Sequence, residues 1–548
     1  MKACLRCCVV VLLLTVFVFV VEGEMDEVRP GDPTKGVPFW NASSASFMYP
    51  PAFDFIDLQP SMAPPGEHGQ MAKYRFTLYC ADRQVRTFEA AKPWMSLKPV
   101  WADVPVGPVT LICEGINPNG ATIGLAGMRS FWRTAPFRMD LVRPPAKRNY
   151  REAQKLAIDY VFRAQEVTSL VERKGVPRND LGLNGYPSKT FSSLIRLMAR
   201  SADSMPERRA DALEIARLSA EWLLKNSQKW DKPLAYWPET YASDTNQVCW
   251  CPDFRDRIML IYPAEVGQAY LLMAKATGEA RWREAAVRIA ETYVKVRRPD
   301  GTWPLLLEIA TGRELCPNTL VPDGLMAFFE ELYQLTGEKR WRVLSDACYE
   351  WFETGPCRDW DWEGQFEDTR PRPERYGNLT HHNALNLMLH IIHRYPGDPV
   401  KLALARDLIR FAEDQFVHWE RPCLPDGRCL RFQGPRYWRG TPPVWHVPGV
   451  TEQFDCYVPV DSSAAKLIIA FMTIGKASGN PLDFAKARVL GDKLVNMQRD
   501  DGRIPTFWQG QDGSFWLNCQ IYDAQVLGEL DRMMRNSAGT DTTEYSRD

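Results

Sequence analysis

The sequence predicts a mainly helical protein, six helical hairpins closing into a ring, preceded by a small N-terminal β-sandwich. Three observations predict it. From Tyr150 onward, apolar residues recur at i, i+3, i+4 and i+7 in about twelve successive segments. Those segments repeat as pairs at roughly fifty to sixty residues, the mark of stacked hairpins. Before Tyr150 the pattern is of short alternating runs separated by turns, as in strands.

Taken in order, the chain opens with Lys2 and Arg6, an apolar run from Val9 to Val21, and Val21-Glu22-Gly23. This reads as a secretory signal over residues 1–23, its apolar run short for a membrane span. Residues 24–52 form a lead-in rich in Pro, Gly and Ser. Over 53–145, Tyr74 to Cys80 and Val109 to Cys113 read as strands and Asn117 to Gly120 as a turn. Together with Leu97 to Trp101 and Val106 to Val109 they suit an antiparallel immunoglobulin- or fibronectin-like module of about ninety residues. The helical region spans 150–535, starting with one helix over 152–172 and ending with one over 523–535. Residues 536–548 make a disordered tail.

With Cys4, Cys7 and Cys8 lost in the signal, eleven of the 14 cysteines remain, so at least one stays unpaired. Cys423 with Cys429 is the first candidate disulfide, and Cys80 with Cys113 the second. Cys249-Trp-Cys251 lacks the second ligand pair of a zinc site. No metal and no cofactor is expected. A formal charge of −1 argues against nucleic acid as an obligate partner. Aromatics are plentiful, with 19 Trp, 19 Tyr and 25 Phe, and Trp at this level exceeds what a core requires and leans toward sugar stacking.

In the repeats a helix ends in Thr-Gly or Ser-Gly and the next begins with an aromatic. Thr277-Gly-Glu279 precedes Trp282, Thr336-Gly-Glu338 precedes Trp341, and Ser478-Gly479 precedes Phe484. Asp-Gly turns follow at Asp300-Gly301 and Asp501-Gly502. With the helix start Ala264-Glu-Val-Gly-Gln-Ala-Tyr270, this punctuation resembles the (α/α)6 toroid of carbohydrate-active enzymes: glucuronyl hydrolases, other glycosidases, polysaccharide lyases and uronate epimerases. The Asp-Ala-Gly-Asp element of endoglucanases with an N-terminal immunoglobulin-like domain is absent. The resemblance covers residues 150–535 and implies a saccharide cleft at one mouth of the ring.

The long connections 173–187, 228–262, 300–321, 359–383 and 418–461 would line that mouth, because the turns of the opposite one are short. Asp359 to Asn383 is the densest, with Asp361, Glu363, Glu367, Trp360, Trp362, Tyr376 and the pair His381-His382. Glycoside hydrolysis needs one protonated carboxyl and a second about 5 Å or about 6.5–9.5 Å away. Glu363 and Glu452 are the leading pair, flanked by aromatics that would raise a carboxyl pKa, with Asp361 beside them. Glu367 and Asp455 are further candidates and Asp180 follows, with Tyr241, Tyr457, Trp360 and Trp362 as substrate contacts. Asp323 and Glu265 are each explained by the preference for acids in a first helical turn.

Elimination needs other groups: a Tyr or His base, and Asn, His or Arg to neutralise a uronate. Tyr376, Asn378, His381 and His382 supply that set, with Tyr457, and Arg370, Arg372 and Arg375 could pair with an acidic sugar. Adjacent histidines at a helix start are also explained by capping and packing. The expected function is a secreted or periplasmic glycosidase of an acidic, uronic-acid-containing oligo- or polysaccharide. A polysaccharide lyase is the alternative, and a non-catalytic glycan-binding protein the third reading.

Overall fold

A computed structural model of the chain describes residues 31–32, 37–38, 46–58, 71–178, 185–241, 255–360, 362–367, 380–422, 444–452 and 458–541. The signal, the pair Cys423 and Cys429, and the C-terminal tail beyond 541 lie outside them. The chain divides into two compact units. The first comprises Met1–Pro136 with Gly355–Asp361 and Pro422–Gln433, and the second comprises the rest.

In the first unit, strands β1 (Ser46–Phe47), β2 (Ala52–Asp54), β3 (Lys73–Tyr79), β4 (Val85–Ala90), β5 (Trp94–Ser96), β6 (Gly107–Ile116) and β7 (Thr122–Arg133) form two sheets. One is five-stranded in the order β1-β7-β6-β3-β4, and the other pairs β2 with β5. Phe53 of the small sheet stacks on Phe131 of the large one at 5.5 Å between centroids, and Phe47 meets both rings edge-on. Two sheets therefore share an aromatic core.

Three expectations change here. Ser46–Phe47, placed in the lead-in, is an edge strand, and it pairs with β7 in parallel rather than antiparallel. Leu97 to Trp101 is no strand: Trp101 opens a short 3-10 turn and its indole N–H donates to the Met48 carbonyl at 3.0 Å, which anchors the turn to the core. Cys80 and Cys113 are both free. The register puts Phe76, not Cys80, opposite Cys113. Four residues of strand, about 13 Å, separate the two thiols along the ladder, beyond disulfide reach.

The second unit is mainly helical. Its long helices are α1 (Tyr150–Arg163), α2 (Pro187–Ser204), α3 (Arg209–Lys225), α4 (Ile261–Thr277), α5 (Ala280–Lys295) and α6 (Asp323–Thr336), followed by α7 (Lys339–Thr354), α8 (His382–Arg394), α9 (Pro399–Phe416), α10 (Asp461–Ser478), α11 (Pro481–Met497) and α12 (Leu517–Asp541). Among the described residues they pair as α2·α3, α4·α5, α6·α7, α8·α9, α10·α11 and α12·α1. The even-numbered helices pack each on the next, and α12 packs back on α2, so six hairpins close a ring with the last inner helix held by the first outer one.

The composition of the helices follows from this layering. Outer α5 is amphipathic and buries Trp282, Ala285, Ala286, Ile289 and Tyr293 on one stripe. Inner α10 buries most of its length, with Lys466 as the single charge between Asp461 and Lys476. Inner helices also approach closely. A Cβ on Gly267 of α4 would lie 2.3 Å from the Phe328 ring of α6, so only glycine fits.

The predicted helices stand with shifted ends. The one over 152–172 is two, broken at Ala164, whose ψ of 135° leaves the helical region. The helix predicted from Ala384 begins at His382, and that predicted from Asp523 begins at Leu517. Helix ends follow capping and packing that periodicity does not record. No helix among the described residues is long and apolar enough to cross a membrane.

Candidate active site

Hydrogen bonds between inner helices fix their direction. Near their starts, Asn383 and Asn386 of α8 donate to Asp323 of α6 at 3.0 and 2.7 Å. Further along, Arg196 of α2 donates to Gln268 of α4 at 2.9 Å, and Gln268 donates to Glu331 of α6 at 2.8 Å. The inner helices therefore run side by side and their N-termini open at one mouth. Every connection from an outer helix to the next inner one ends there, and these are the long ones. At the opposite mouth α4, α6 and α10 end in left-handed Gly278, Gly337 and Gly479, after which the outer helix starts within two residues.

One segment carries a carboxylate into the open mouth. Over 362–367 the chain is anchored step by step. Trp362 stacks between Phe352 and Phe411, each at 6.0 Å. Glu363 accepts from the Asn318 amide at 3.1 Å, and Gln365 accepts from the Val321 N–H at 2.9 Å while donating to the Thr319 carbonyl at 2.7 Å. Glu367 arrives last. Its carboxylate accepts from the Lys189 ammonium on one oxygen and from the Tyr262 hydroxyl on the other. The Tyr241 hydroxyl donates to its carbonyl at 2.9 Å, and its own N–H donates to the Tyr262 oxygen at 3.1 Å. Burial alone would raise this carboxyl, but Lys189 and Tyr262 outweigh it and hold the pKa below the ordinary value. Glu367 is thus kept ionised.

Glu452 lies just past the short ladder that pairs Gly449–Val450 with Val417–His418, where the Thr451 N–H donates to the Phe416 carbonyl at 2.9 Å. Here the balance reverses. Burial raises its pKa and the charge of Glu367 adds to this, against the opposing pull of Lys189 and Lys466. Glu265, in the second turn of α4, is raised by burial too, with Arg196, Lys189 and Lys466 opposing and Glu367 assisting. Both residues are half-buried and keep some solvent access.

Two neutral histidines close the set. Burial and then Lys466 press the pKa of His381 well below the usual imidazole value. For His382 burial leads again, followed by Lys466, His381, Lys189 and Arg196. His382 shares Asn386 at 3.1 Å and stands 3.7 Å from Asp323. His381 is buried edge-on against Phe416 at 5.4 Å, with neither ring nitrogen hydrogen-bonded among the described residues.

The sequence-predicted residues therefore separate. Glu452, His382 and Tyr241 come together at the mouth. Glu363 is buried on Asn318, while the charges acting on Glu452 are those of Lys189, Lys466 and Glu367. Trp362 is enclosed by core rings, and Trp360 is buried in the segment grouped with the first unit. Both indoles are only 2–3% exposed, which leaves no open face for a sugar. Asp361, Tyr376, Asn378, Arg375, Asp180, Asp455 and Tyr457 lie outside the described residues. Among the described residues no group of three or more His, Cys, Asp or Glu side chains could hold a metal ion.

No family model matches the chain. Nor does any curated protein match its sequence. Among solved structures, a family 76 glycoside hydrolase from a bovine Bacteroides thetaiotaomicron strain is similar at 10% identity and a TM-score of 0.46, over 90% of this chain and 98% of that one. A family 76 α-mannanase from Bacteroides thetaiotaomicron is similar at 12% identity and 0.49, over 71% and 98%. The cellobiose 2-epimerase of Spirochaeta thermophila gives the same figures. All three are carbohydrate-active enzymes, of more than one family.

Sequence reasoning passed over Lys189, Arg196, Tyr262 and Lys466, and explained Glu265 by its place in a helix. Lys466 had a signal, a cation within the mostly apolar stretch between Asp461 and Lys476. Lys189 and Tyr262 had none, because only ring closure brings α2 and α4 to Glu367.

Proposed function

We propose that the protein is a secreted glycoside hydrolase acting on an acidic, uronic-acid-containing oligo- or polysaccharide. The observation that carries this reading is the contrast between two carboxyls close enough to act on each other. Glu367 is held ionised by Lys189 and Tyr262, and Glu452 is pushed toward its protonated form by burial and by Glu367 itself. Pairs of carboxyl groups driven apart in this way divide acid from base work.

Glu452 gives its proton to the departing glycosidic oxygen as the bond to the anomeric carbon breaks. Water then adds at that carbon and its proton passes to a carboxylate, with Glu367 as the charged partner. Lys189 and Arg196 add positive charge, and so do the N-termini of the inner helices that open at this mouth. Both favour an anionic substrate.

The test is digestion of a panel of uronic-acid polysaccharides by the purified protein. New reducing ends without ultraviolet absorbance from a conjugated double bond support hydrolysis. A rise in that absorbance transfers the chemistry to elimination, the alternative reading that rests on Tyr376, Asn378, His381 and His382. Binding without either product leaves a glycan-binding protein.

A further inference from the structure

The cations at the mouth are not equally engaged. Lys189 is paired with Glu367. Arg196 donates to the Glu265 carbonyl at 3.1 Å and to Gln268 at 2.9 Å. Lys466 has no hydrogen bond and no ion pair among the described residues. Its ammonium stands over the Tyr522 ring, 5.4 Å from the centroid. Yet its position in the ring is central. Rooted in the second turn of α10, it acts electrostatically on Glu265 of α4, on Glu452, and on both His381 and His382 at the start of α8.

Lys466 is half-buried, and an ammonium carries three donors, so these stay available to an incoming acceptor. The resident acids do not supply one. Glu367 is already engaged by Lys189 on one oxygen and by Tyr262 on the other. Glu265 and Glu452 are discouraged from ionising by burial. His381 and His382 are held neutral and carry no charge that an incoming anion would meet. Tyr522 offers Lys466 a π face, which orients the ammonium without satisfying its three donors.

We propose that Lys466 recognises a carboxylate on the sugar, fixing a uronate residue beside Glu452. The inference rests on the saccharide site argued above and adds the residue that sets substrate class. A uronate offers two acceptor oxygens to the unengaged ammonium, and a neutral sugar offers none of that charge. Discrimination between the two is then concentrated in one side chain.

The experiment compares glucuronate with glucose as ligands of the full chain, by titration calorimetry, for the wild type and for Lys466→Met and Lys466→Arg. The wild type is expected to prefer glucuronate. Lys466→Met should lose about 10- to 100-fold of that preference, as befits a lost charge-assisted hydrogen bond, and Lys466→Arg should keep a part of it. Unchanged discrimination in Lys466→Met overturns the proposal. So does an equal loss for both sugars, or a wild type indifferent between them. Thermal unfolding of both variants accompanies the titration, and Lys466→Arg carries the test if Lys466→Met does not fold. Because binding is measured without turnover, a failed hydrolysis assay and a failed recognition assay give different answers. Glucuronate preference with no product would retain Lys466 and discard the hydrolase.

Discussion

At one end of the helical ring each inner helix is reached by a long connection, and Lys189, Tyr262, Glu265, Glu367, His382, Glu452 and Lys466 gather there. At the other end α4, α6 and α10 stop at Gly278, Gly337 and Gly479, and their partners begin within two residues. The same hairpins make both ends. The plain end is local: a left-handed glycine closes the helix and satisfies its last carbonyls without help from elsewhere. The populated end is non-local. Glu367 holds its charge because residues of α2 and α4, far away in sequence, meet it there. Tightness is cheap where the backbone can supply it, and chemistry is placed where side chains from several hairpins converge.

The largest expected effect tests the populated end directly. Glu452→Gln should lower kcat by about 10²- to 10⁴-fold, the range for a lost general acid. Its melting temperature should hold or rise slightly, since a neutral isostere removes the burden of a buried carboxyl. A large fall in melting temperature with modest loss of activity would make Glu452 structural and erase the contrast with the plain end.

Glu367→Gln should impair both function and fold. It leaves the half-buried Lys189 ammonium without its carboxylate, and a loss of about 2 kcal/mol is expected, discounted from the value for a fully buried pair because Lys189 retains solvent contact. Denaturant unfolding measures it. The sign with pH also follows. The depressed pKa of Glu367 contributes stability above the ordinary carboxylate range, and that stability is lost as pH falls through the lowered value. The mutant should lack this acid limb.

A third prediction concerns Asp461 and Asp523, both fully buried near the starts of α10 and α12. Burial, and for Asp461 the neighbouring Asp523, pushes both pKa values well up. A raised carboxyl stabilises the fold below its unfolded value, and that contribution disappears as pH rises through the folded one. Melting temperature recorded against pH should therefore decline less toward neutrality in Asp523→Asn than in the wild type. Parallel curves would show that the two acids do not constrain each other.

The smallest effect belongs to the plain end. Gly337→Ala forces a Cβ into a φ of 73° with open space around it, so only backbone strain is at stake, about 1 kcal/mol. Activity should not change. A loss of activity comparable to that of Glu452→Gln would mean that the two mouths are coupled through the helices.

Much of the fold was legible in the sequence. The Thr-Gly punctuation located hairpin turns because a glycine C-cap is a local device, and apolar periodicity located the helices because each buries one face. The asymmetry of long and short connections pointed to the correct end for a cluster of charged groups. Misreadings came where a residue's role depends on what stands opposite. Trp362 looked like a sugar platform in a charged loop and is a core ring between Phe352 and Phe411. Glu265 looked like ordinary first-turn chemistry and stands within the influence of Arg196, Lys189, Lys466 and Glu367.

By itself, then, the sequence determined a helical repeat with its turns, a strand-rich module before it, and the connections long enough to carry a site. These are set by contacts a few residues apart, which periodicity and capping record. Only the tertiary structure decided which acid is ionised and which cation is unengaged. Those properties are electrostatic and depend on distance in space: Lys189 and Glu367 are 178 positions apart in the chain and in direct contact in the fold.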